Sequence, residues 1–200
     1  MRAGLVVVAA GLVLVAGSER DGRFVAIAAV AALGAWWWRP ERDADRWRRA
    51  ASGEMATAAL LRRLPRRWVV LHDRAVPGSR ANIDHLVIGR SGLWVVDTKT
   101  ARARLQVRRG AVWAGERRID TGPAAWEAEV VSEWLGAEVA PIVAVHGDGL
   151  RRRGKVSGGV RIVPAARVVR HLRRPRWRRV VSRADITALA ERAGDIFPPR

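Results

Sequence analysis

Hydrophobic and polar residues alternate most regularly near the middle of the chain. Two apolar runs, at residues 83–88 and 93–96, flank the sequence GRSG at residues 89–92. β-Branched residues on both sides of a glycine-bracketed turn are typical of a β-hairpin. We therefore predict two antiparallel strands joined by a tight turn.

The register of this hairpin decides which polar side chains face one another. If Ile88 pairs with Leu93, the ladder places Asp84 opposite Asp97, and the period of two puts Lys99 on the same face as Asp97. The Cβ atoms of the two aspartates would then be about 5 Å apart, a distance at which like charges destabilise a sheet.

Two facing carboxylates need a compensating interaction. A divalent cation such as Mg²⁺ or Mn²⁺ between them, with an ammonium nearby, would provide it, because hard cations bind carboxylate oxygens. A hairpin end whose acids are simply solvated is the alternative. His85, the neighbour of Asp84, is expected to point to the other sheet face and to have a structural or hydrogen-bonding role.

Shorter apolar runs, separated by Gly, Pro and charged residues, predict the other elements of the C-terminal three quarters of the chain. Ser182 is the expected N-cap of the last helix and Gly194 its end. Strands are predicted at residues 68–72, 105–108, 111–113, 141–145 and 160–163, and helices from residue 52 or 53 to 64 and at 123–135, 165–172 and 183–193.

Two of these helices contain acidic residues whose roles differ. Glu54 heads the inward-facing side of the first helix, either as part of a site or because a first-turn glutamate interacts favourably with the helix dipole. In the helix at 123–135, Glu127 and Glu129 are most simply solvated or paired with arginines. The apolar side of that helix is predicted to comprise Trp126, Val130, Val131, Trp134 and Leu135.

At the N-terminus, residues 3–17 and 24–38 form two apolar runs without a charged residue. They predict a transmembrane hairpin over residues 1–38, although each run is short for a hydrocarbon core of roughly 30 Å. The basic linker at 39–50 would lie against anionic lipid headgroups and place the C-terminal domain in the cytoplasm, as in a multi-pass protein of the cell membrane. A secretory signal or a single anchor is the alternative.

Composition makes one basic residue stand out. The 37 basic residues include only two lysines, Lys99 and Lys155, which leaves 37 − 2 = 35 arginines. A lysine in such a chain suggests a role that a guanidinium cannot fill. The net charge of +18 favours a polyanionic partner such as nucleic acid or anionic lipid, unless codon usage or membrane topology accounts for it. No cysteine is present, which excludes disulfides and thiolate metal sites.

Three segments together resemble the nuclease-related domain (NERD) family, which is grouped with the PD-(D/E)XK nucleases. They are Gly53-Glu54, the sequence IDHLVIG at 83–89 and the sequence GLWVVDTK at 92–99. The resemblance covers residues 51–172. It implies an α/β fold with a restriction-endonuclease-like mixed β-sheet flanked by helices, here preceded by two transmembrane helices.

The resemblance also implies roles for four residues. Asp84 and Asp97 would be metal ligands, Lys99 the catalytic lysine, and Glu54 a helix-borne acid at the metal. Asp97 occupies a position where many relatives have the longer Glu. Many relatives also have a Gln before the next helix, whereas residues 122–127 contain none.

These observations predict a membrane-anchored nuclease that uses Mg²⁺ or Mn²⁺ to hydrolyse nucleic acid, with DNA as the expected substrate. The alternatives are a catalytically inactive, membrane-tethered adaptor that binds nucleic acid or protein, and a protein that only binds lipid surfaces. The expected organisation is a membrane hairpin at 1–38, a linker at 39–50, the nuclease-related domain at 51–172 and a basic C-terminal segment with the final helix at 173–200.

Overall fold

A computed structural model of the chain describes residues 20–150, 154–174 and 182–200. The chain forms two compact units, Met1–Arg49 and Ala50–Arg200. In the first unit, the described residues are helical and belong to helix α1 (Arg20–Leu61), which continues into the second unit.

The predicted membrane hairpin is not confirmed. Its first run, residues 3–17, lies outside the described residues, and its second run lies within α1. Across the parts of the chain that the structure describes, no helix is both long and apolar enough to cross a bilayer. The predicted helix start at Ser52 or Gly53 is wrong, because even a glycine costs only about 1 kcal/mol inside a helix and its neighbours are good helix formers.

The second unit contains two sheets and three further helices. Its strands are β1 (Val69–Ala75), β2 (Asn82–Gly89), β3 (Gly92–Thr100), β4 (Leu105–Arg108), β5 (Ala111–Ala114), β6 (Arg117–Arg118), β7 (Val139–His146), β8 (Lys155–Ser157) and β9 (Val160–Pro164). Its helices are α2 (Gly122–Leu135), α3 (Val168–Leu172), which follows a 3₁₀ turn, and α4 (Arg183–Ile196).

The larger sheet has six strands in the order β1-β2-β3-β7-β9-β8. Strands β1, β2 and β3 are antiparallel, β3, β7 and β9 are parallel, and β8 closes the sheet antiparallel to β9. The predicted mixed sheet flanked by helices is therefore confirmed. So is the hairpin register, since Ile88 pairs with Leu93 and Leu86 with Val95.

The large sheet separates two hydrophobic cores because successive residues of its central strands point to opposite faces. On one face, Leu86 and Val95 belong to the core that includes Val131 and Leu135 of α2. On the other, Val96 belongs to the core that includes Leu61 of α1 and Leu172 of α3. Helices α1 and α2 thus cover opposite faces of β3.

The buried side of α2 differs from the predicted one. Trp126 and Trp134 are 42% and 45% exposed. Side chains smaller than tryptophan face the sheet instead, because a helix packed closely on parallel strands leaves little room for indole rings. The buried side chains of α2 are Ala124, Glu127, Ala128, Val131 and Leu135.

The C-terminal helix begins as predicted and ends later. Ser182 caps α4 and forms a reciprocal capping box with Asp185. The predicted end at Gly194 is wrong, since α4 continues to Ile196 and buries Phe197 just beyond it. The apolar contact of Phe197 with the core stabilises this extra turn.

Candidate active site at the end of strand β3

Asp97 and Lys99 form a close ion pair near the end of β3. The Lys99 ammonium donates a hydrogen bond of 2.6 Å to Oδ1 of Asp97. Asp97 is only 4% exposed, whereas about a third of the Lys99 side chain is exposed. The second oxygen of Asp97, Oδ2, is buried and has no hydrogen-bond partner. One carboxylate oxygen of this buried pair therefore remains available to a ligand.

Asp84 lies across the hairpin from this pair. The last residue pair of the β2–β3 ladder is His85 with Val96, and Asp84 and Asp97 are the next residues on each strand. Oδ2 of Asp84 accepts a hydrogen bond of 2.8 Å from the backbone N–H of Thr98. The register thus brings Asp84 to the part of β3 that carries Asp97 and Lys99.

The electrostatics of these three residues are dominated by burial and mutual proximity. Burial raises the pKa of Asp97 to about 6, with Lys99 opposing the rise and Asp84 adding to it. Burial also raises the pKa of Asp84, against the stabilising hydrogen bond from Thr98 and the charge of Lys99. Burial would lower the pKa of Lys99, but the surrounding carboxylates raise it above its ordinary value, so the ammonium stays charged.

Glu127 of α2 is the residue of this site that the sequence interpretation missed. It is 6% exposed, and its Oε2 atom is buried without a hydrogen-bond partner. Burial first, and then the charges of Asp97 and Asp84, raise its pKa to about 8. The prediction that Glu127 is solvated or paired with arginine is wrong, because α2 turns this residue toward the sheet.

Glu54 of α1 lies within electrostatic reach of the same group. Burial raises its pKa, and the nearby charges of Asp84 and Asp73 raise it further, while Lys99 lowers it. Its explanation as a first-turn residue does not hold, because α1 begins at Arg20, many turns earlier. The structure therefore brings Glu54, Asp84 and Lys99 into one region.

Hydroxyl and imidazole groups connect α1 to the sheet beneath Glu54. The Thr57 hydroxyl accepts a hydrogen bond from Thr98 and lies 2.8 Å from Nε2 of His146 at the end of β7. A Cβ atom added at Gly53 would lie 2.5 Å from Oγ1 of Thr100, so any other residue here would force the Thr100 side chain or α1 to shift. These contacts position the first residues of the unit against β3.

His85 has a structural role, as predicted. Its Nδ1 atom lies 2.8 Å from Nδ1 of His72 on the neighbouring strand β1. Burial, together with the smaller effect of the charge of His72, lowers the pKa of His85 to about 3. The ring is therefore neutral and links two strands.

The sequence resemblance implies a metal, and the carboxylates of the site are its possible ligands. Among residues 20–150, 154–174 and 182–200, no group of three or more Asp, Glu or His side chains could hold a metal ion by itself. Mg²⁺, however, commonly binds one or two carboxylates and retains several waters. Asp84 and Asp97, with the unpartnered Oδ2 atom of Asp97, fit a site of that kind.

Comparison with known proteins gives one family. Residues 49–132 match the family model of the nuclease-related domain (NERD), a segment that includes Glu54, Asp84, Asp97, Lys99 and Glu127. Comparisons with curated proteins and with solved structures gave no match. The resemblance predicted from the sequence is confirmed over this segment: residues 49–132 match the nuclease-related domain family.

Proposed function

We propose that this protein is a membrane-anchored, metal-dependent nuclease that hydrolyses phosphodiester bonds of nucleic acid, with DNA as its substrate. The observation that carries the proposal is the buried Asp97–Lys99 pair, with one free carboxylate oxygen and with Asp84 opposite. A mixed sheet carrying this arrangement is compatible with a restriction-endonuclease-like fold.

Asp84 and Asp97 would hold Mg²⁺ or Mn²⁺, and Glu54 would complete or orient the ligand shell. When bound, a divalent cation stabilises the negative charge that develops on the phosphate and lowers the pKa of a water ligand. The backbone N–H of Thr98 fixes the Asp84 carboxylate, so this ligand is oriented before any cation binds. Burial raises the pKa of both carboxyl groups, which makes it unfavourable to ionise them. A cation bound between them would lower this free-energy cost.

Lys99 would orient the attacking water or neutralise charge in the transition state. Its ammonium is held by Asp97 and is partly exposed, so it reaches both the carboxylate and a substrate. Loss of one comparable electrostatic donor in other enzymes costs roughly 2.7–4 kcal/mol of transition-state stabilisation. Asp97 and Asp84 raise the pKa of Lys99, and Glu127, where it is ionised, raises it further.

The membrane anchor belongs to the same proposal and is supported by the sequence. The uncharged runs at residues 3–17 and 24–38, and the arginines that follow them, favour two spans with the nuclease-related domain in the cytoplasm. Anchoring would confine cleavage to nucleic acid that comes close to the inner membrane surface.

A catalytically inactive adaptor is the second candidate. It is favoured by the finding that no group of three acidic or His ligands in the described part of the chain could hold a metal ion. Such an adaptor would bind nucleic acid or protein through its arginines and would not turn over any substrate.

Replacement of Asp97 by Asn tests the proposal. The full chain would be assayed with Mg²⁺ or Mn²⁺ on plasmid, linear and single-stranded DNA and on RNA. Asp97→Asn should abolish cleavage and leave metal-free DNA binding unchanged. In the wild type, Mn²⁺ at ten times its Kd should raise the free energy of unfolding by about 1.4 kcal/mol, an effect that the variant should lose.

Asp195→Asn, at an exposed position on α4, is the matched control and should behave like the wild type. Absence of cleavage in the wild type on every substrate, together with metal-independent binding, would instead support the adaptor. Cleavage that persists in Asp97→Asn would refute the assignment of this carboxylate.

A further inference from the structure

The small sheet formed by β4, β5 and β6, with the connection at residues 101–104 that leads into it, is here called the wing and carries an unusual density of exposed arginine. Between residues 102 and 118 there are six arginines and one acid, Glu116, which gives 6 − 1 = +5. All six side chains are exposed. They are Arg102, Arg104, Arg108, Arg109, Arg117 and Arg118.

The wing is held firmly against the body of the unit. The backbone N–H groups of Ala101 and Leu105 donate to the carbonyls of His146 and Asp148, at 2.8 and 2.7 Å. Its inner residues, Leu105 and Val112, are fully buried in a core shared with β7 and β9. Its arginines are therefore displayed on a surface that is anchored to the body of the unit.

Both ends of the wing adjoin the acid and lysine cluster. The wing follows β3 directly, two residues after Lys99, and its last strand leads to Asp120. Asp120 accepts a hydrogen bond of 2.9 Å from the backbone N–H of Gly122, the first residue of α2, the helix that carries Glu127. A polyanion bound along the wing would thus extend toward Asp97 and Lys99.

The tip of the wing places an arginine in an unfavourable backbone conformation. Arg109 and Gly110 form a two-residue turn between β4 and β5, with φ angles of 47° and 80°. Turns of this kind favour Asn-Gly or Asp-Gly, because few other residues adopt positive φ without strain. An arginine is a poor choice for this turn on conformational grounds alone, so we infer that its charge is used for binding.

We propose that the wing binds the phosphate backbone of duplex DNA and directs it to the Asp97–Lys99 site. The part of this inference that concerns cleavage rests on the proposed function, whereas the binding part does not. Nucleic acid fits better than a lipid surface, because Val107 is the only large hydrophobic residue exposed on the wing, among the residues described. A phosphate backbone needs only the guanidinium groups.

Binding of the full chain to a fluorescein-labelled DNA duplex, measured by anisotropy in EDTA at several salt concentrations, tests the inference. The double variant Arg109→Gln/Arg118→Gln should bind about 10- to 30-fold more weakly near 0.15 M salt, with a salt slope reduced by about 1.8. Arg90→Gln/Arg183→Gln removes the same charge from exposed positions outside the wing and should change the affinity by less than about threefold.

The single variant Arg109→Asn separates binding from folding. It should weaken DNA binding and also raise Tm by about 1–3 °C, because asparagine fits the turn better. Equal effects of the wing and control variants on DNA binding would overturn the inference, as would a wing effect confined to vesicles of anionic lipid. Binding through the wing without cleavage by the wild type would refute the nuclease activity alone.

Discussion

At the scale of single residues, four carboxyl groups interact electrostatically with one ammonium. Glu54, Asp84, Asp97 and Glu127 each have a pKa that is raised by burial and lowered by Lys99. One lysine cannot neutralise four acids, so at neutral pH part of this group carries protons. A site with excess negative potential attracts a cation.

The burial of Glu127 can be tested through its effect on how the free energy of unfolding depends on pH. The pKa of Glu127 in the folded protein is about 8, above its ordinary value of 4.5. The protonated carboxyl therefore makes its full contribution to the free energy of unfolding below pH 4.5, and this contribution is lost as the pH rises through 8. Glu127→Gln should therefore raise the free energy of unfolding at pH 9 by on the order of 3 kcal/mol, and change it little at pH 5. Denaturant unfolding of the wild type and the variant at pH 5 and pH 9 measures both changes in the free energy of unfolding.

The matched control is Glu129→Gln, at an exposed position on the same helix. Its unfolding free energy should follow the wild type at both pH values. If Glu127→Gln showed the same pH dependence as the wild type, the inferred burial of an ionisable carboxyl at this position would be wrong.

Most residues of the candidate site could be predicted from the sequence because they lie in local sequence patterns. The hairpin register placed Asp84 opposite Asp97, and the scarcity of lysine singled out Lys99. Glu127 was missed because its position depends on which side of α2 faces the sheet. The two tryptophans of α2 suggested the wrong side, whereas the spacing of Ala124, Ala128 and Val131 would have placed Glu127 correctly.

At the scale of elements, the close approach of α1 to β3 fixes the geometry around Glu54. Gly53 has no Cβ, and Thr57 joins the hydroxyl of Thr98 and the ring of His146. The helix carrying Glu54 is thus held against the same strand that carries Asp97 and Lys99. Movement of this helix would change the distance between Glu54 and Asp84.

Gly53→Ala tests this contact. The added methyl group would lie 2.5 Å from Oγ1 of Thr100. The strain should outweigh the gain of up to about 1 kcal/mol in helix propensity, and lower the free energy of unfolding by about 1–2 kcal/mol overall. Nuclease activity should fall with it, because Glu54 is displaced.

Two further variants make the result interpretable. Gly53→Ala/Thr100→Ala removes the clashing hydroxyl and should recover most of the lost stability. Gly194→Ala in α4 has no atom within 4 Å of the new Cβ and should stabilise the protein by up to about 1 kcal/mol. A Gly53→Ala variant as stable as Gly194→Ala would show that α1 does not approach β3 so closely.

Elements were predictable where their signals were local. The glycine-bracketed turn specified the central hairpin, and Ser182 specified the start of α4. The start of α1 was not predictable in this way, because Ser52 and Gly53 resemble a helix start when read alone. The two-residue strand β6 was also missed, since its pairing with β5 depends on the wing as a whole.

At the scale of the whole molecule, the fold gathers residues from four separate elements at one end of β3. Glu54 lies on α1, Asp84 on β2, Glu127 on α2, and the Asp97–Lys99 pair on β3. The chain as a whole carries a net charge of +18, and the arginines of the wing are exposed. An acidic site in a basic protein would suit a polyanionic substrate that binds together with a divalent cation.

Plasmid cleavage by the full chain and by Lys99→Ala, with Mg²⁺ or Mn²⁺, tests the central claim most directly. Lys155→Ala changes the only other lysine, on β8 of the same sheet, and is the matched control. We predict that Lys99→Ala lowers the cleavage rate by about 10²–10³-fold, and that Lys155→Ala cleaves like the wild type. Undiminished cleavage by Lys99→Ala would contradict the assignment of this site.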